Sequence, residues 1–470
     1  MSSTPRAPAI AWRGREIARA QLEEEVLAVA RRLLALGVRP GDRVGMLAPG
    51  SIDWALLAHA IPRIGAVLVP LHARLAQEEV SRQIGEANLS LLLHGGEADL
   101  DDATLLSINV EDFRAIAPSA AIPPQDLDPE RVSTILFTSG SSGRPRGVML
   151  TRRNHLVSAA ASSRVLGLGP EDRWLCCLPL YHVGGLNILY RCLQAGASVL
   201  LHDSFDPAQA NRAIDREGVT LVSLVSVMLR RMLEERRGRP FPPALRAILV
   251  GGGPVEDGLI DACPQALATY GLTETCSHVT LVRPGSGTAE RHSAGPPLPG
   301  IDVRIVDDGG AALPAGSPGA IEVRGPIVMQ GYLNESTPSV VDGWLRTGDL
   351  GFLDAAGCLR VAGRSTDLII SGGENIHPAE IEAALLGIPG VEEAAVIGIP
   401  DDAWGEVPLA VVARRRSEAV SEESMREAIA RHLAERLARF KIPLIVFVSE
   451  IPRLPNGKPD RAEIRRRYAG

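Results

Sequence analysis

The chain has 470 residues, which is too long for one small module and predicts two to four domains of about 100–200 residues each. Hydrophobic residues make up 45% and charged residues 22%, so a disordered or fibrous protein is excluded. The formal net charge, 49 − 56 = −7, excludes binding of nucleic acid or an anionic membrane through bulk positive charge. Only two of the 49 basic residues are lysines, Lys441 and Lys458. This bias predicts that lysine is kept where arginine cannot do the chemistry.

The N-terminal sequence and the cysteines predict a soluble, cytoplasmic protein. Residues 1–20 contain no apolar core of a secretory signal, and the longest apolar stretch, 54–71, is broken by Pro62 and Arg63. The six cysteines form no CxxC pair and no set at zinc spacing. Reduced, buried thiols are therefore favoured over disulfides or a metal site.

Segments with helical and strand periodicity alternate along most of the chain. Helices are predicted at 21–36, 207–217 and 228–236, and strands at 43–47, 133–137, 197–201, 219–225 and 245–250. This alternation predicts an α/β fold in which helices cover a large, mostly parallel sheet.

The pattern changes in the last third of the chain. Short strands separated by turns predict a small β-rich subdomain at about 295–365. Helices at 378–386 and 421–437, with strands near 391–397 and 407–413, then predict a small, mobile α+β C-terminal domain. The expected domains are thus 1–365 and 367–470.

A segment rich in glycine and hydroxyl groups, TSGSSGRPRG, follows the strand predicted at 133–137 and spans 138–147. Its hydroxyl and backbone N–H groups suit a polyphosphate, and two arginines supply positive charge. It is not a Walker A loop, because no GK[ST] follows and the next residues are predicted as strand. A flexible surface hairpin explains the same composition equally well.

This segment resembles the phosphate loop of the adenylate-forming superfamily, which includes acyl-CoA synthetases, firefly-type luciferases and the adenylation domains of peptide synthetases. The loop of that family ends in Pro-Lys-Gly, whereas this one ends in Pro-Arg-Gly. The charge is kept, although arginine and lysine contact phosphate differently. The resemblance implies that ATP phosphates are bound by Thr138, Ser139, Gly140, Ser141, Ser142, Gly143 and Arg146.

Further motifs of the family occur in order, so that the resemblance covers residues from about 20 to the C-terminus. The motif YGLTET at 270–275 implies that Thr273 and Glu274 contact phosphate during catalysis and that Glu274 holds Mg²⁺. Carboxylate oxygen is the ligand that Mg²⁺ prefers beside polyphosphate. The same motif implies that Tyr270 and Gly271 bind the nucleotide. Considered alone, Thr273 and Glu274 would be a capping pair at a turn.

Two later motifs resemble the ribose site of the family. In WLRTGD, at 344–349, the resemblance implies that Asp349 accepts hydrogen bonds from the ribose hydroxyls. In GRSTD, at 363–367, it implies that Arg364 reaches ribose and phosphate. Without the resemblance, Asp349 would be a turn residue and Arg364 a surface cation.

The C-terminal part resembles the moving half of these enzymes. The motif LPNGK at 454–458 implies that Lys458 reaches the substrate carboxylate and the α-phosphate during adenylation. The hinge of the family falls at Thr366, where aspartate is common. A hinge requires backbone freedom more than a particular side chain. The segment SGGENIHP, at 371–378, resembles the loop that enters the site when the small domain rotates.

The segment LPLYHVGG at 178–185 resembles the acyl-pocket motif. It lacks the aspartate of members that activate amino acids, and its Tyr181-His182 pair is typical of aryl- and acyl-CoA ligases. The resemblance implies a catalytic or pocket role for His182, and a packed wall residue is the alternative interpretation. Gly271 and Arg191 are predicted to line the same pocket, with Arg191 facing a second substrate carboxylate. Trp404 and Lys441 are assigned to the coenzyme A path.

The predicted activity is that of an acid–CoA ligase that uses ATP, Mg²⁺ and coenzyme A. Several stretches resemble the o-succinylbenzoate–CoA ligases of menaquinone synthesis. Other aryl- or fatty-acyl-CoA ligases of the benzoate or chlorobenzoate type, an adenylase that loads a carrier protein, and a regulatory protein with a degenerate site are the alternatives. The expected partners are small molecules, without nucleic acid or a membrane span. The formation of a homo-oligomer is left open.

Overall fold

The computed structural model describes residues 8–96, 105–119, 128–139, 145–253, 255, 257–335, 338–364, 368–414, 421–453 and 459–468. The strands are β1 (Pro8–Trp12), β2 (Arg15–Ala18), β3 (Arg43–Leu47), β4 (Val67–Pro70), β5 (Leu91–His94), β6 (Ser107–Asn109), β7 (Val132–Ser139), β8 (Pro145–Thr151), β9 (Arg173–Cys176), β10 (Ser198–Leu201), β11 (Leu221–Leu224), β12 (Ala247–Val250), β13 (Ala266–Leu272), β14 (Ser277–Leu281), β15 (Asp302–Val306), β16 (Gly319–Arg324), β17 (Gly331–Tyr332), β18 (Val340–Val341), β19 (Trp344–Leu353), β20 (Leu359–Arg364), β21 (Ile369–Ser371), β22 (Glu374–Ile376), β23 (Val391–Asp401), β24 (Gly405–Arg414) and β25 (Leu444–Val448).

The helices are α1 (Arg19–Ala35), α2 (Ile52–Arg63), α3 (Gln77–Ala87), α4 (Val110–Ala115), α5 (Arg152–Leu166), α6 (Val183–Ala195), α7 (Pro207–Arg216), α8 (Ser226–Arg236), α9 (Asp257–Ala262), α10 (Thr288–Arg291), α11 (Pro378–Leu386), α12 (Glu422–Arg436) and α13 (Arg461–Tyr468). Single turns of 3₁₀ helix occupy Thr273–Thr275 and Arg439–Lys441. In the part of the chain with described coordinates, no helix is both long and apolar enough to cross a membrane.

The chain forms two compact units. The larger consists of Met1–Ala73, Glu86–Phe137 and Gly147–Gly363. The smaller consists of Arg74–Gly85, Thr138–Arg146 and Arg364–Gly470.

The larger unit is built around two mostly parallel sheets. One has the strand order β14-β13-β12-β11-β9-β10-β1-β2, and the other has the order β17-β8-β7-β4-β3-β5-β6. Strands such as β11 and β12 are four-residue apolar runs that are buried throughout, as expected for parallel strands with helices on both faces. A third sheet, β15-β16-β19-β18 with β20 beside β19, is antiparallel where its pairings are described.

The smaller unit contains its own sheet, in the order β22-β21-β24-β23 with β25 beside β24. Apolar residues of α11 and α12, including Ile381 and Ile429, pack with Ile369 and Val412 of the sheet into a separate core. The predicted α/β class, with a C-terminal α+β part, is confirmed.

The N-terminal hairpin was not predicted. Strands β1 and β2 pair with each other, and β1 also pairs in parallel with β10, which lies about 190 residues later. A five-residue strand has little local signal, because its stability comes from a partner that is remote in the sequence. The sequence pattern alone therefore could not identify it.

Candidate active site

The segment YGLTET lies at a sharp reversal in the first sheet of the larger unit. Strand β13 ends at Leu272, the 3₁₀ turn Thr273–Thr275 follows, and β14 returns antiparallel to it. Gly271 is paired with His278, and a Cβ atom on Gly271 would overlap the carbonyl oxygen of Ser277. Glycine is therefore required here by the close approach of two backbones.

The carboxylate of Glu274 is half-buried and has a tyrosine partner. The hydroxyl of Tyr332, on β17, donates a hydrogen bond of 2.8 Å to Oε1 of Glu274. The backbone carbonyl of Glu274 accepts a hydrogen bond, also of 2.8 Å, from the N–H of Met329. Side chain and backbone are thus both anchored to the segment that contains β17. A half-buried carboxylate supplies the kind of oxygen ligand that Mg²⁺ prefers.

The carboxylate of Asp349 is buried in β19 and also has a tyrosine partner. The hydroxyl of Tyr270 donates to Oδ2 of Asp349 over 2.7 Å, and the Asp349 backbone N–H donates to the Thr347 hydroxyl. Tyr270 and Glu274 lie four residues apart around the same reversal. The structure therefore brings the predicted nucleotide residues Tyr270, Gly271, Thr273, Glu274 and Asp349 into one region of the larger unit.

An aromatic cluster contains the two residues predicted for the acyl pocket. The rings of Tyr181 and His72 are stacked, with centroids 4.1 Å apart, and His182 packs edge-on against both. His182 is the N-cap residue of α6. The close packing of Gly185 against the carbonyl oxygen of Pro179 fixes the approach to this helix. His72 was not predicted from the sequence, since nothing in its neighbours distinguishes it from a core histidine.

Arg191 is fully buried on α6. Its Nε atom donates a hydrogen bond to the Ser162 hydroxyl, and its Nη2 atom donates one to the Ser277 hydroxyl; both distances are 3.0 Å. Among the described residues its Nη1 atom has no hydrogen-bond partner, and the partners of its Nε and Nη2 atoms are hydroxyl groups rather than carboxylates. Burial lowers the pKa of Arg191 to about 10, so the guanidinium remains charged at neutral pH. Its predicted contact with the substrate stays a prediction.

Several other predicted residues lie at or outside the limits of the described chain. Thr138 and Ser139 end β7, and the Thr138 hydroxyl contacts the carbonyl of Arg146 at 3.5 Å. Arg364 ends β20, and nothing is described of its side chain. The residues that lie outside the described ranges are Gly140, Ser141, Ser142, Gly143, Thr366 and Lys458.

Trp404 and Lys441 belong to the smaller unit. Trp404 is half-exposed, and its carbonyl oxygen accepts from the N–H of Gly372 over 2.7 Å. Lys441 is buried, and its Nζ atom forms ion pairs with Glu79 and Glu380. Burial lowers the pKa of Lys441, but the two carboxylates outweigh that effect and raise it. Its assignment to the coenzyme A path therefore depends on the resemblance alone, while the structure gives it an internal role.

Tyr332 is the clearest functional candidate that the sequence analysis missed. It follows Gly331 in a two-residue strand that pairs with Val148 and Met149 of β8, just after the predicted phosphate loop. A two-residue strand has no periodicity to detect. The sequence around Tyr332 therefore carried no local signal for its contact with Glu274.

Comparison with known proteins defines the class. Residues 1–333 match the AMP-binding enzyme family, and residues 380–458 match the C-terminal domain of that family. The chain therefore belongs to the family of AMP-binding enzymes, and the predicted enzyme class is confirmed.

Within this family the chain is similar to 2-succinylbenzoate–CoA ligases, as the sequence motifs predicted. It is 38% identical to the ligase of Bacillus cereus over 98% of this chain and 96% of that protein. The ligase of Bacillus cytotoxicus shows the same identity and coverage.

Solved structures give the same relationship. A double mutant of o-succinylbenzoate CoA synthetase from Bacillus subtilis, bound to its product analogue OSB-NCoA, has a TM-score of 0.91, 34% identity and coverage of 98% and 96%. The same enzyme bound to the acyl-adenylate OSB-AMP has a TM-score of 0.74 at equal identity and coverage. An amide bond synthetase from Marinactinospora thermotolerans has a TM-score of 0.87 and 27% identity, with coverage of 98% and 97%.

Proposed function

We propose that the chain is an ATP-dependent acid–CoA ligase that acts on 2-succinylbenzoate in menaquinone biosynthesis. In the first step a substrate carboxylate attacks the α-phosphate of ATP and displaces pyrophosphate, which gives an acyl-adenylate. In the second step the thiol of coenzyme A attacks the acyl carbon and displaces AMP. The curated relatives with this activity, 38% identical over nearly the whole chain, support the proposal.

The observation that carries the chemistry is the pair of tyrosine-bound carboxylates. Glu274 and Asp349 are held by Tyr332 and Tyr270 in the same unit. A carboxylate fixed in this way can accept ribose hydroxyls or ligate a cation without first losing conformational freedom. We assign Asp349 to the ribose and Glu274 to Mg²⁺. When bound, the cation would neutralise charge on the polyphosphate.

Arg191 supports an acid with two carboxylates. Burial of a cation with no anionic partner costs free energy, which an acidic ligand can offset. The described part of the chain supplies hydroxyl groups to Arg191 but no carboxylate. We therefore propose that the second carboxylate of the substrate binds near the Nη1 atom of this guanidinium.

The two steps require different groups, and we propose that one site serves both by domain rotation. Lys458 and Arg146 act in the first step, in which negative charge develops on phosphorus. Residues 367–470 then rotate about Thr366 relative to residues 1–365, which withdraws Lys458 and admits the thiol. Such a rotation can limit turnover.

We also propose a cytoplasmic location. All six cysteines are buried and free, which agrees with a reducing compartment.

Whether the enzyme is a homo-oligomer is tested by light scattering of the purified protein.

The proposed function is tested by pyrophosphate release, followed by mass spectrometry of the coenzyme A product. Two analogues serve as matched controls: 4-oxo-4-phenylbutanoate lacks the ring carboxylate, and 2-butanoylbenzoate lacks the side-chain carboxylate. We expect 2-succinylbenzoate to exceed both in kcat/KM, and the analogue that still reacts identifies the activated carboxylate.

Other results would support other functions. Preference for benzoate, 4-chlorobenzoate or a fatty acid would overturn the substrate assignment. Acyl-adenylate formation without a coenzyme A product, but with transfer to a phosphopantetheinylated carrier protein, would indicate a carrier-loading adenylase. If no acid releases pyrophosphate, the chain is not an active ligase.

A further inference from the structure

The reversal that carries Glu274 is followed by two residues in a conformation that L-amino acids rarely adopt. Cys276 has φ +50° and Ser277 has φ +90°, both in the left-handed region, and neither is glycine. Such a conformation is strained and persists only where the surroundings hold it in place. The backbone that leads away from Glu274 is therefore held under strain by groups outside the reversal.

Two helices supply these groups. The carbonyl oxygen of Cys276 accepts two hydrogen bonds, one from the Ser158 hydroxyl on α5 and one from the Asn187 side-chain amide on α6. Both donor–acceptor distances are 2.6 Å. One helical turn further along, the Arg191 guanidinium on α6 donates to the Ser277 hydroxyl and also to the Ser162 hydroxyl on α5. The contacts are spaced four residues apart on both helices, so one face of each helix carries both.

The Asn187 amide is itself oriented by a buried histidine. The Oδ1 atom of Asn187 lies 2.8 Å from Nδ1 of His155, whose Nε2 lies 3.1 Å from the Thr134 hydroxyl. With hydrogen on Nδ1, His155 donates to Asn187 and accepts from Thr134, which leaves the Asn187 NH₂ group to donate to Cys276. Burial lowers the pKa of His155 to about 4, so this hydrogen-bond direction persists at neutral pH.

We propose that Asn187 and Ser158 are positioning residues for Glu274, and that by holding the Cys276 carbonyl they set the geometry of the magnesium site. This inference depends on the proposed function, in which Glu274 is the ligand of the cation. Asn187 is 1% exposed and Ser158 is fully buried, so their effect must pass through the backbone between Cys276 and Glu274.

The test compares Asn187→Ala with Asn211→Ala by isothermal titration calorimetry. Asn211 is a matched control, because its buried amide also donates to a carbonyl oxygen, that of Met232, elsewhere in the larger unit. Titrations use AMP without metal, and ATP with and without Mg²⁺. We expect Asn187→Ala to weaken ATP binding about five- to thirtyfold in the presence of Mg²⁺ and to leave AMP binding within about twofold. Asn211→Ala should change neither affinity.

Ser158→Ala provides an independent variant if Asn187→Ala does not fold, and it should show the same selective loss. An unchanged Mg²⁺-dependent affinity in the folded variants would overturn the inference. An equal loss of AMP and ATP binding would do so as well, because it would indicate general support of the fold. If the wild-type protein binds ATP but releases no pyrophosphate with any acid, only the proposed ligase activity fails, and the calorimetric comparison still decides the role of Asn187.

Discussion

At the scale of single residues, the site uses tyrosine hydroxyls to hold carboxylates. Glu274 and Asp349 each accept one hydrogen bond from a tyrosine hydroxyl. Hydrogen bonds to charged groups contribute about 1.5–3 kcal/mol, more than those between neutral groups. The orientation of each carboxylate therefore depends on one phenolic oxygen.

Tyr332→Phe tests this dependence. We expect the variant to fold and to bind AMP, but to require more Mg²⁺ for pyrophosphate release, with kcat/KM about tenfold to a hundredfold lower. The reason is that Glu274 loses the donor that orients it. Tyr468→Phe, on α13 of the smaller unit, is the control. Identical Mg²⁺ dependence in Tyr332→Phe and wild type would refute the role of this hydroxyl.

The structure describes the surroundings of one of the two lysines, Lys441. Lys441 is enclosed by Glu79 and Glu380, where a compact ammonium fits between two carboxylates. Lys458 lies outside the described residues, and its role stays a prediction from the motif. The scarcity of lysine thus has a packing explanation at one position and a proposed catalytic one at the other.

Lys458→Arg decides whether the catalytic explanation holds. We expect acyl-adenylate formation to fall about 10²–10³-fold, nearly as far as in Lys458→Ala, because the bulkier guanidinium cannot follow the charge on phosphorus. Conversion of supplied acyl-adenylate to the thioester should be retained in both variants. If the arginine variant keeps most of its adenylation rate, lysine was not selected for this step.

At the scale of elements, the reversal between β13 and β14 depends on tight backbone contact. The two strands approach so closely at Gly271 that no side chain can be accommodated beside Ser277. The 3₁₀ turn between them displays Thr273 and Glu274, and α5 and α6 anchor its far end. The conformation of the turn therefore depends on the β13–β14 hairpin and on its hydrogen bonds to α5 and α6.

Gly271→Ala should disrupt the close contact between β13 and β14. We expect ATP binding to be lost and the free energy of unfolding to fall by about 1–3 kcal/mol, because the new methyl group forces the strands apart. Gly258→Ala on α9 is the control, since among the described residues no atom beyond its chain neighbours and its own helix backbone lies within 4 Å of the added methyl group. Alanine in that helix should stabilise the protein by about 0.4–1 kcal/mol. Denaturant titration and calorimetry measure both effects, and equal stability of the two variants would contradict this account.

At the scale of the whole molecule, the larger unit buries His155 and His278, and burial favours the neutral form of each ring. Burial lowers the pKa of His155 to about 4, and burial together with Arg191 lowers that of His278 well below its usual value. In the unfolded chain both would titrate near 6.5. Between these values the unfolded state binds more protons, so stability decreases as the pH falls.

Acid should therefore weaken the fold before the carboxylates titrate. We expect the free energy of unfolding to drop between pH 6.5 and pH 4, with His155 contributing on the order of 3 kcal/mol. The measurement is urea denaturation at pH 7.5, 6 and 5. His155→Gln should show a shallower pH dependence than the wild type, although it is less stable at pH 7.5. Parallel pH profiles for the two proteins would show that folding does not lower the pKa of His155.

The sequence alone predicted much of the fold and the family of the protein. The helix at 378–386 occurs as Pro378–Leu386, and the apolar runs at 219–225 and 245–250 contain β11 and β12. Such elements are predictable because periodicity and chain breakers are local properties. The motif around Glu274 indicated the family for a related reason, since the residues that contact one substrate group are close together in the chain.

Only the tertiary structure decided which groups hold the motifs in place. Tyr332 reaches Glu274 across 58 residues, Tyr270 reaches Asp349 across 79, and Asn187 reaches Cys276 across 89. These pairings follow from the order of strands in the sheets and from the packing of α5 against α6, neither of which has a local signature. The chemistry of this protein is therefore visible in short stretches of its sequence, whereas the precision of the site comes from contacts that form only when distant segments pack together.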